Sequence, residues 1–198
     1  MRVIGGEARG RKLCAPKGMI TRPTPDRVRE AIFNILSARI AGAHVLDIFA
    51  GTGAMALEAL SRGAAKAVLI DSDPGAIYAI KRNIENTRRA DRARLIAKDW
   101  REAFNGLRGE RFALVFADPP HHMPDLHLQA LYALDEYSLL IDSGIVVLEH
   151  ARVNTPVLPA RYGIYDARRY GETMISLARL NVEPNEVINE NLYLSRQF

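Results

Sequence analysis

The stretch Asp47-Ile-Phe-Ala-Gly51-Thr-Gly53-Ala-Met-Ala56 decides the fold of this 198-residue chain. It begins in the apolar run 43–48, which predicts a short buried strand, and it leads into a predicted helix over 54–61. Glycine lets a backbone approach a ligand closely, and a helix N-terminus offers N–H groups that lack a partner. The stretch therefore predicts a ligand-binding turn at the carboxyl end of a strand.

Strands and helices alternate along the rest of the chain. Thr24 is expected to cap a helix that starts with Pro25 and ends at Gly42. The other predicted helices cover 74–89, 100–104 and 126–136, and the other predicted strands cover 66–70, 94–97, 112–117, 144–149, 163–169 and 173–180. This order predicts an α/β, Rossmann-like fold: a mostly parallel seven-stranded sheet with helices on both faces, finished by an antiparallel C-terminal hairpin.

The positive charge of the chain is concentrated at its N-terminus. Residues 1–40 hold nine Lys or Arg against three Asp or Glu, although the net charge of the whole chain is only +4. Such an excess suits contact with a phosphate backbone, and a solvated basic face without a partner is the alternative. We expect residues 1–23 to form a small basic arm or hairpin and residues 24–198 to form one domain.

Composition limits the compartment and the classes of site. Apolar residues make up 48% of the chain, and there is no run of about 18 of them that could span a membrane. The N-terminus lacks the apolar segment of a signal peptide, and a single cysteine, Cys14, excludes an intrachain disulfide. We therefore expect a cytoplasmic protein. We also expect a monomer, and the spacing of the histidines matches no familiar metal site.

Acidic residues follow three successive strands and indicate the ligand. Gly51, Gly53 and Ala56 match a dinucleotide fingerprint, and Asp71 lies 20 residues after Gly51. Asp47, however, would repel a pyrophosphate and favour a ligand with ammonium and sulfonium charges. S-adenosylmethionine has both charges and no phosphate. Asp71 is placed to accept from ribose hydroxyls and Asp99 from the adenine amino group, with Trp100 beside the ring; helix capping is the alternative role for these acids.

The tetrapeptide Asp118-Pro119-Pro120-His121 follows the apolar run 112–117. Two proline rings stiffen this turn and hold a carboxylate where it can accept hydrogen bonds from a planar amino group. Such a site suits an enzyme that methylates nitrogens of nucleobases. By contrast, Glu149-His150 at the end of an apolar strand suggests a structural role.

These motifs together resemble a known family. DIFAGTGA (47–54), LIDSDP (69–74), KDW (98–100) and DPPH (118–121) are similar to class I methyltransferases that modify base nitrogens. MRVIGGEARGRKL (1–13) and TRPTPDRVREAIFNIL (21–36) resemble the RsmD family, the 16S ribosomal RNA guanine-N2 methyltransferases. ALEALSRGA (56–64) and RRYGETMISL (168–177) extend the resemblance to about residue 180.

The resemblance implies S-adenosylmethionine as the methyl donor and guanine N2 in small-subunit rRNA as the acceptor. Free 16S rRNA and an assembling small ribosomal subunit both remain open as the substrate. It places Asp47, Gly51, Gly53, Asp71 and Asp99 at the cofactor, and Asp118, Pro119 and His121 at the base. His121 stands where the family carries a Tyr or Phe. From the charge pattern we expect Arg9, Arg11, Lys12 and Arg22 to contact the RNA backbone.

Other functions remain open on the sequence. The same motifs permit a methyltransferase that acts on adenine N6 of DNA or on another RNA base. A nicotinamide-dependent oxidoreductase is disfavoured by Asp47 and by the 118–121 turn. A non-catalytic RNA-binding protein is disfavoured because both the glycine loop and Asp118 are intact.

Overall fold

A seven-stranded sheet organises the chain. The computed structural model describes residues 1–16, 24–120, 123 and 125–181. The sheet order is β3-β2-β1-β4-β5-β7-β6. The strands are β1 His44–Asp47, β2 Lys66–Asp71, β3 Ala93–Ala97, β4 Phe112–Ala117, β5 Leu140–Ala151, β6 Tyr162–Tyr170 and β7 Thr173–Leu180.

The first five strands are parallel, and β7 joins β5 and β6 by antiparallel pairing. This arrangement confirms the predicted mostly parallel sheet and its antiparallel C-terminal hairpin. Because the strands β1, β2 and β4 are parallel neighbours, the residues that follow them meet at one edge of the sheet.

Helices cover both faces of the sheet. They are α1 Asp26–Ile35, α2 Ser37–Ile40, α3 Ala54–Ser61, α4 Pro74–Thr87, α5 Trp100–Asn105 and α6 Leu126–Glu136. Successive residues of β4 alternate between two cores: Leu114 and Phe116 pack with α1 to α4, whereas Val115 and Ala117 pack with α5 and α6. This period of two is the one expected for a strand that is buried on both faces.

The predicted first helix differs from the observed one. Its N-cap residue is Pro25, and no side chain of the described residues caps it, since the hydroxyl of Thr24 donates instead to Glu149 Oε2 at 2.9 Å. The helix also stops at Ile35, and the short helix α2 follows before Gly42. The hydroxyl of Thr24 thus contacts Glu149, 125 residues later in the chain, and does not form the local cap that the sequence favours.

The described part of the N-terminal arm is packed onto the domain. Arg2 and Lys12 form an isolated antiparallel bridge, and Val3, Ala8 and Leu13 are buried in the same core as α1 and α3. The carboxylate of Glu58 in α3 accepts from the backbone N–H groups of Ile4 (2.7 Å) and Gly5 (2.8 Å). The arm is therefore held by backbone contacts as well as by apolar packing.

Candidate active site

A cleft of about 520 Å³ opens at the carboxyl edge of the parallel strands. This volume lies in the range typical of small-molecule sites, and its walls come from β1, β2, β4, β5, α1 and the arm. Seven of the residues predicted for the site line it: Asp47, Gly51, Asp71, Asp99, Trp100, Asp118 and Pro119.

The glycine loop forms one wall of the cleft. Gly51 and Gly53 both have positive φ angles, 56° and 74°, a conformation that L side chains rarely adopt. A Cβ atom at position 53 would also lie 2.8 Å from Leu69 Cδ2, so a larger residue would require the side chain of Leu69 to shift. Gly53 therefore determines the backbone conformation of the loop, although it does not itself line the cleft.

Asp71 ties the glycine loop to β2. Its carboxylate accepts hydrogen bonds from the N–H of Gly51 at 2.7 Å and from the N–H of Asp73 at 2.9 Å. Burial nevertheless raises the pKa of Asp71 above its ordinary value, and the two backbone bonds oppose that shift. Asp71 thus lines the cleft and also fixes the turn that a ligand would approach.

Asp47 lies at the end of β1 and is only 4% exposed. Burial raises its pKa from 3.8 to about 7, the bond from the N–H of Ala56 (3.3 Å) opposes the shift, and the charge of Asp71 adds to it. Asp71 and Asp47 create a negative potential next to the loop. A positively charged ligand would relieve the cost of burying that charge.

Asp99 and Trp100 form the wall after β3. Asp99 caps α5, since its side chain accepts from the N–H of Arg101 at 2.9 Å and pairs with the Arg101 guanidinium at 3.3 Å. Asp99 therefore acts as the N-cap of α5 and also lines the cleft. Trp100 is 6% exposed, and Arg101 lies over its ring at 4.6 Å.

Asp118 follows β4 and opens into the cleft, and the ring of Pro119 behind it is buried. The side chain of Asp118 is exposed, yet the walls of the concave site displace bulk water from around its carboxyl group. This desolvation, with the charges of Glu149 and Asp47, raises the pKa of Asp118 well above its ordinary value. Raised carboxyl pKa values in a cleft are typical of functional sites.

The arm contributes a further wall, which the sequence did not indicate. Met1, Ala15 and Pro16 line the cleft. The buried amide of Asn83 in α4 donates to the carbonyls of Cys14 and Thr52, each at 2.9 Å, and accepts from the N–H of Cys14 at 2.7 Å. Asn83 therefore fastens the arm to the glycine loop.

Arg29 is a residue of the cleft that the sequence did not indicate. It lies on α1, lines the cleft and is 1% exposed. Its Nη2 donates to the carbonyl of Arg2 at 2.5 Å and to Asp26 at 3.0 Å, but its Nε and Nη1 have no hydrogen-bond partner among the described residues. Buried donors of this kind are rare in folded proteins, and they suit an anionic group of a ligand.

Glu149 is the second residue that was missed, because the sequence favoured a structural role for it. The structure places it at the end of β5, lining the same cleft as Asp118 and accepting a hydrogen bond from Thr24. The only available signal was its position as the last residue of the predicted strand 144–149, which ends at the same sheet edge.

Of the predicted RNA-contact residues, the three that the structure describes do not line the cleft. Arg9 and Lys12 are exposed on the arm, and Arg11 is half-buried with its Nη1 donating to the carbonyl of Asn86 at 2.6 Å. Arg22 and His121 lie outside the described residues.

No described helix is long and apolar enough to cross a membrane. Nor do three or more His, Cys, Asp or Glu side chains of the described ranges come together as a set of metal ligands.

Comparison with known proteins places the chain in a family. The family model described as Conserved hypothetical protein 95 matches residues 1–179. The Ribosomal RNA small subunit methyltransferase D of Escherichia coli strain K12 is 36% identical over 178 residues, which is 89% of this chain and 88% of that protein.

Solved structures agree with the fold. A hypothetical protein from Thermus thermophilus has a TM-score of 0.76 and 35% identity, over 91% of this chain and 99% of its own. A more distant structure, SMU.776 complexed with SAH, has a TM-score of 0.65 and 14% identity, over 77% of this chain and 49% of its own. That likeness concerns the fold alone. The predicted class I methyltransferase fold is confirmed.

Proposed function

Because the chain belongs to the Conserved hypothetical protein 95 family, which is the RsmD family that its motifs resemble, we propose that it methylates rRNA. The methyl donor is S-adenosylmethionine, and the acceptor is the exocyclic N2 of a guanine in 16S rRNA. The observation that carries the proposal is the single cleft that joins the acidic glycine-loop site to the Asp118-Pro119 turn.

The residues of the cleft fit the cofactor. S-adenosylmethionine supplies a methyl group on a positively charged sulfur, and it also carries an ammonium group and a carboxylate. The buried carboxylate of Asp47 suits the positive charges. Two nitrogens of Arg29, which have no hydrogen-bond partner within the described ranges, suit the carboxylate of the cofactor. Asp71 would hold the ribose hydroxyls, and Asp99 and Trp100 would bound the adenine.

Asp118 and the carbonyl of Pro119 are assigned to the acceptor base. In this proposal both accept hydrogen bonds from N2, which fixes the direction of its lone pair. An exocyclic amino group is a poor nucleophile, so orientation contributes a large part of the rate. As N2 gains the methyl group and positive charge, Asp118 accepts its proton. His121, outside the described residues, is assigned to stack on the base.

The decisive test is mass spectrometry of rRNA nucleosides from a deletion strain. We expect the loss of one N2-methylguanosine from the small-subunit rRNA. Purified wild-type protein with labelled S-adenosylmethionine should restore it, whereas the Asp118→Ala variant should bind the cofactor normally without restoring it. Unchanged N2-methylguanosine with loss of a different methylated base would favour another acceptor, such as an adenine nitrogen.

The basic arm, residues 1–23, is assigned to the RNA backbone. Arg9 and Lys12 are exposed, so their charges are accessible to phosphates. Each lost phosphate contact makes the slope of log K for RNA binding against log salt concentration less negative by about 0.7 to 0.9. Replacing both residues by Ala should therefore make that slope less negative by about 1.5 and leave cofactor affinity unchanged.

Arg111→Ala provides the matched control, since Arg111 precedes β4 at the sheet edge opposite Asp118. It should leave the salt dependence as it is in the wild type. An equal effect of the control and the arm variants would refute a specific role for the arm.

A further inference from the structure

Glu149 is a second carboxylate beside Asp118. Strands β4 and β5 are parallel neighbours, with Ala117 in register with Leu148. Asp118, which directly follows β4, therefore comes next to Glu149 of β5. Neighbouring strands lie about 4.8 Å apart, which brings the two backbones close at this edge. Both side chains line the same cleft.

The position of Glu149 separates it from the cofactor wall. In the sheet order, β4 lies between β1, which carries Asp47, and β5, which carries Glu149. A group held at Asp118 and approached from the glycine loop therefore has Glu149 on its far side.

The carboxylate of Glu149 is oriented by the residue that precedes the N-cap of α1. Thr24 Oγ1 donates to Glu149 Oε2 at 2.9 Å. A carboxylate has about four acceptor sites, enough to serve this hydroxyl and a substrate N–H together. The contact explains why Thr24 does not cap its own helix.

The two carboxylates match one edge of guanine. That edge presents the N1–H beside the N2 amino group, so its two neighbouring positions are both donors. Adenine and 2-aminopurine have an unprotonated N1, which is an acceptor and would face an ionised carboxylate unfavourably. Sites built to hydrogen-bond a substrate N–H reject analogues that lack it much more strongly than apolar pockets do.

We propose that Glu149 accepts a hydrogen bond from N1–H of the target guanine and thereby selects guanine over bases whose N1 is an acceptor. The inference rests on the proposed function, since it takes guanine N2 as the atom held at Asp118. It assigns recognition to a residue that touches the base but takes no part in the transfer of the methyl group.

The test compares two acceptors and two variants. Small-subunit rRNA is ligated to carry guanosine or 2-aminopurine riboside at the nucleotide that the enzyme methylates, and is reconstituted with its proteins. Both bases have an amino group at C2, but only guanine has N1–H. The Glu149→Gln variant keeps the size of the side chain and adds an amide donor; Glu136→Gln, at the exposed end of α6, is the matched control.

We expect the wild type to prefer guanosine over 2-aminopurine by about 10- to 100-fold in kcat/KM, the value of one charge-assisted hydrogen bond. Glu149→Gln should lower kcat/KM for guanosine and shrink that preference at least tenfold, because its amide donates to the acceptor N1. Glu136→Gln should keep the wild-type preference. A change confined to folding would lower both rates and leave their ratio unchanged.

Two results would overturn the inference without touching the proposed function. One is a wild-type enzyme that methylates both bases equally, a measurement that needs no variant. The other is a Glu149→Gln enzyme with the wild-type ratio. If the wild type does not methylate guanine N2 at all, the proposed function fails and the inference falls with it.

Discussion

Replacing Asp47 by Asn should stabilise the ligand-free protein, and by an amount that depends on pH. Asp47 is 4% exposed at the end of β1, and its pKa is raised from 3.8 to about 7. Between pH 3.8 and about pH 7, Asp47 keeps its proton in the folded protein and loses it in the unfolded chain. Stability is therefore lost as the pH rises through this window.

The magnitude follows from the size of the shift. Each unit of pKa difference corresponds to about 1.36 kcal/mol, so Asp47 opposes folding by about 4 kcal/mol above pH 7, where it is ionised in the folded protein, and by about 2 kcal/mol at pH 5, where folding requires it to take up a proton. Asn has a similar shape and no charge, and its amide oxygen can still accept from the N–H of Ala56. The stabilisation by Asp47→Asn should thus be about 2 to 3 kcal/mol larger at pH 8 than at pH 5.

Urea unfolding measures this difference directly. The chain has one tryptophan, Trp100, which is buried in the core of α5 and α6, so its fluorescence should follow unfolding. Unfolding curves of wild type and variant are compared at pH 5 and pH 8 without S-adenosylmethionine, which would stabilise the wild type by binding.

Asp142→Asn is the control, since the side chain of Asp142 is 98% exposed. Its effect on stability should stay within about 0.5 kcal/mol at both pH values. An Asp47→Asn effect that is the same at pH 5 and pH 8 would refute the reasoning, because the charge of Asp47 would then carry no burial cost.

Three further predictions concern the same cleft. At saturating cofactor, kcat/KM for RNA should fall as the pH drops through the raised pKa of Asp118. The Asp47→Asn variant removes a neighbouring negative charge, so it should move this fall to lower pH. An unchanged pH profile in the variant would contradict the coupling between the two carboxyl groups. Decarboxylated S-adenosylmethionine should bind about 10- to 100-fold more weakly than S-adenosylmethionine in calorimetry if Arg29 holds the carboxylate, and equal affinities would exclude that role. Asn83→Ala should lower the free energy of unfolding, measured in urea, by about 2 to 4 kcal/mol, because the three hydrogen bonds that join the arm and the glycine loop to α4 are lost. The control Asn86→Ala, on the exposed side of α4, should change it by less than about 0.5 kcal/mol. Similar effects of the two variants would argue against Asn83 as the residue that fastens the arm.

The elements of the fold were predictable because their signals are local. β4 and α6 begin and end where the apolar periodicity and turn residues indicate, and α3 follows the glycine loop as expected. β5 is longer than its apolar core, 140–151 instead of 144–149, because pairing with β4 extends it to Leu140. Backbone pairing with a distant strand leaves no local pattern in the chain.

The candidate site divides in the same way. Asp47, Asp71 and Asp118 could be placed at one cleft from the sequence alone, because each follows an apolar strand and parallel strands end at a common edge. Arg29 resembled any charged residue of an amphipathic helix, and its burial became evident only from its contacts with Arg2 and Asp26.

The sequence by itself thus determined the strands, the glycine loop and which acidic residues end up at the edge of the sheet. Only the tertiary structure decided what stands opposite them. The sheet order puts Glu149 beside Asp118, and the hydroxyl of Thr24, 125 residues earlier, orients it. The physical reason is that local patterns determine where a side chain leaves its own strand or helix, whereas its neighbours depend on how distant elements pack.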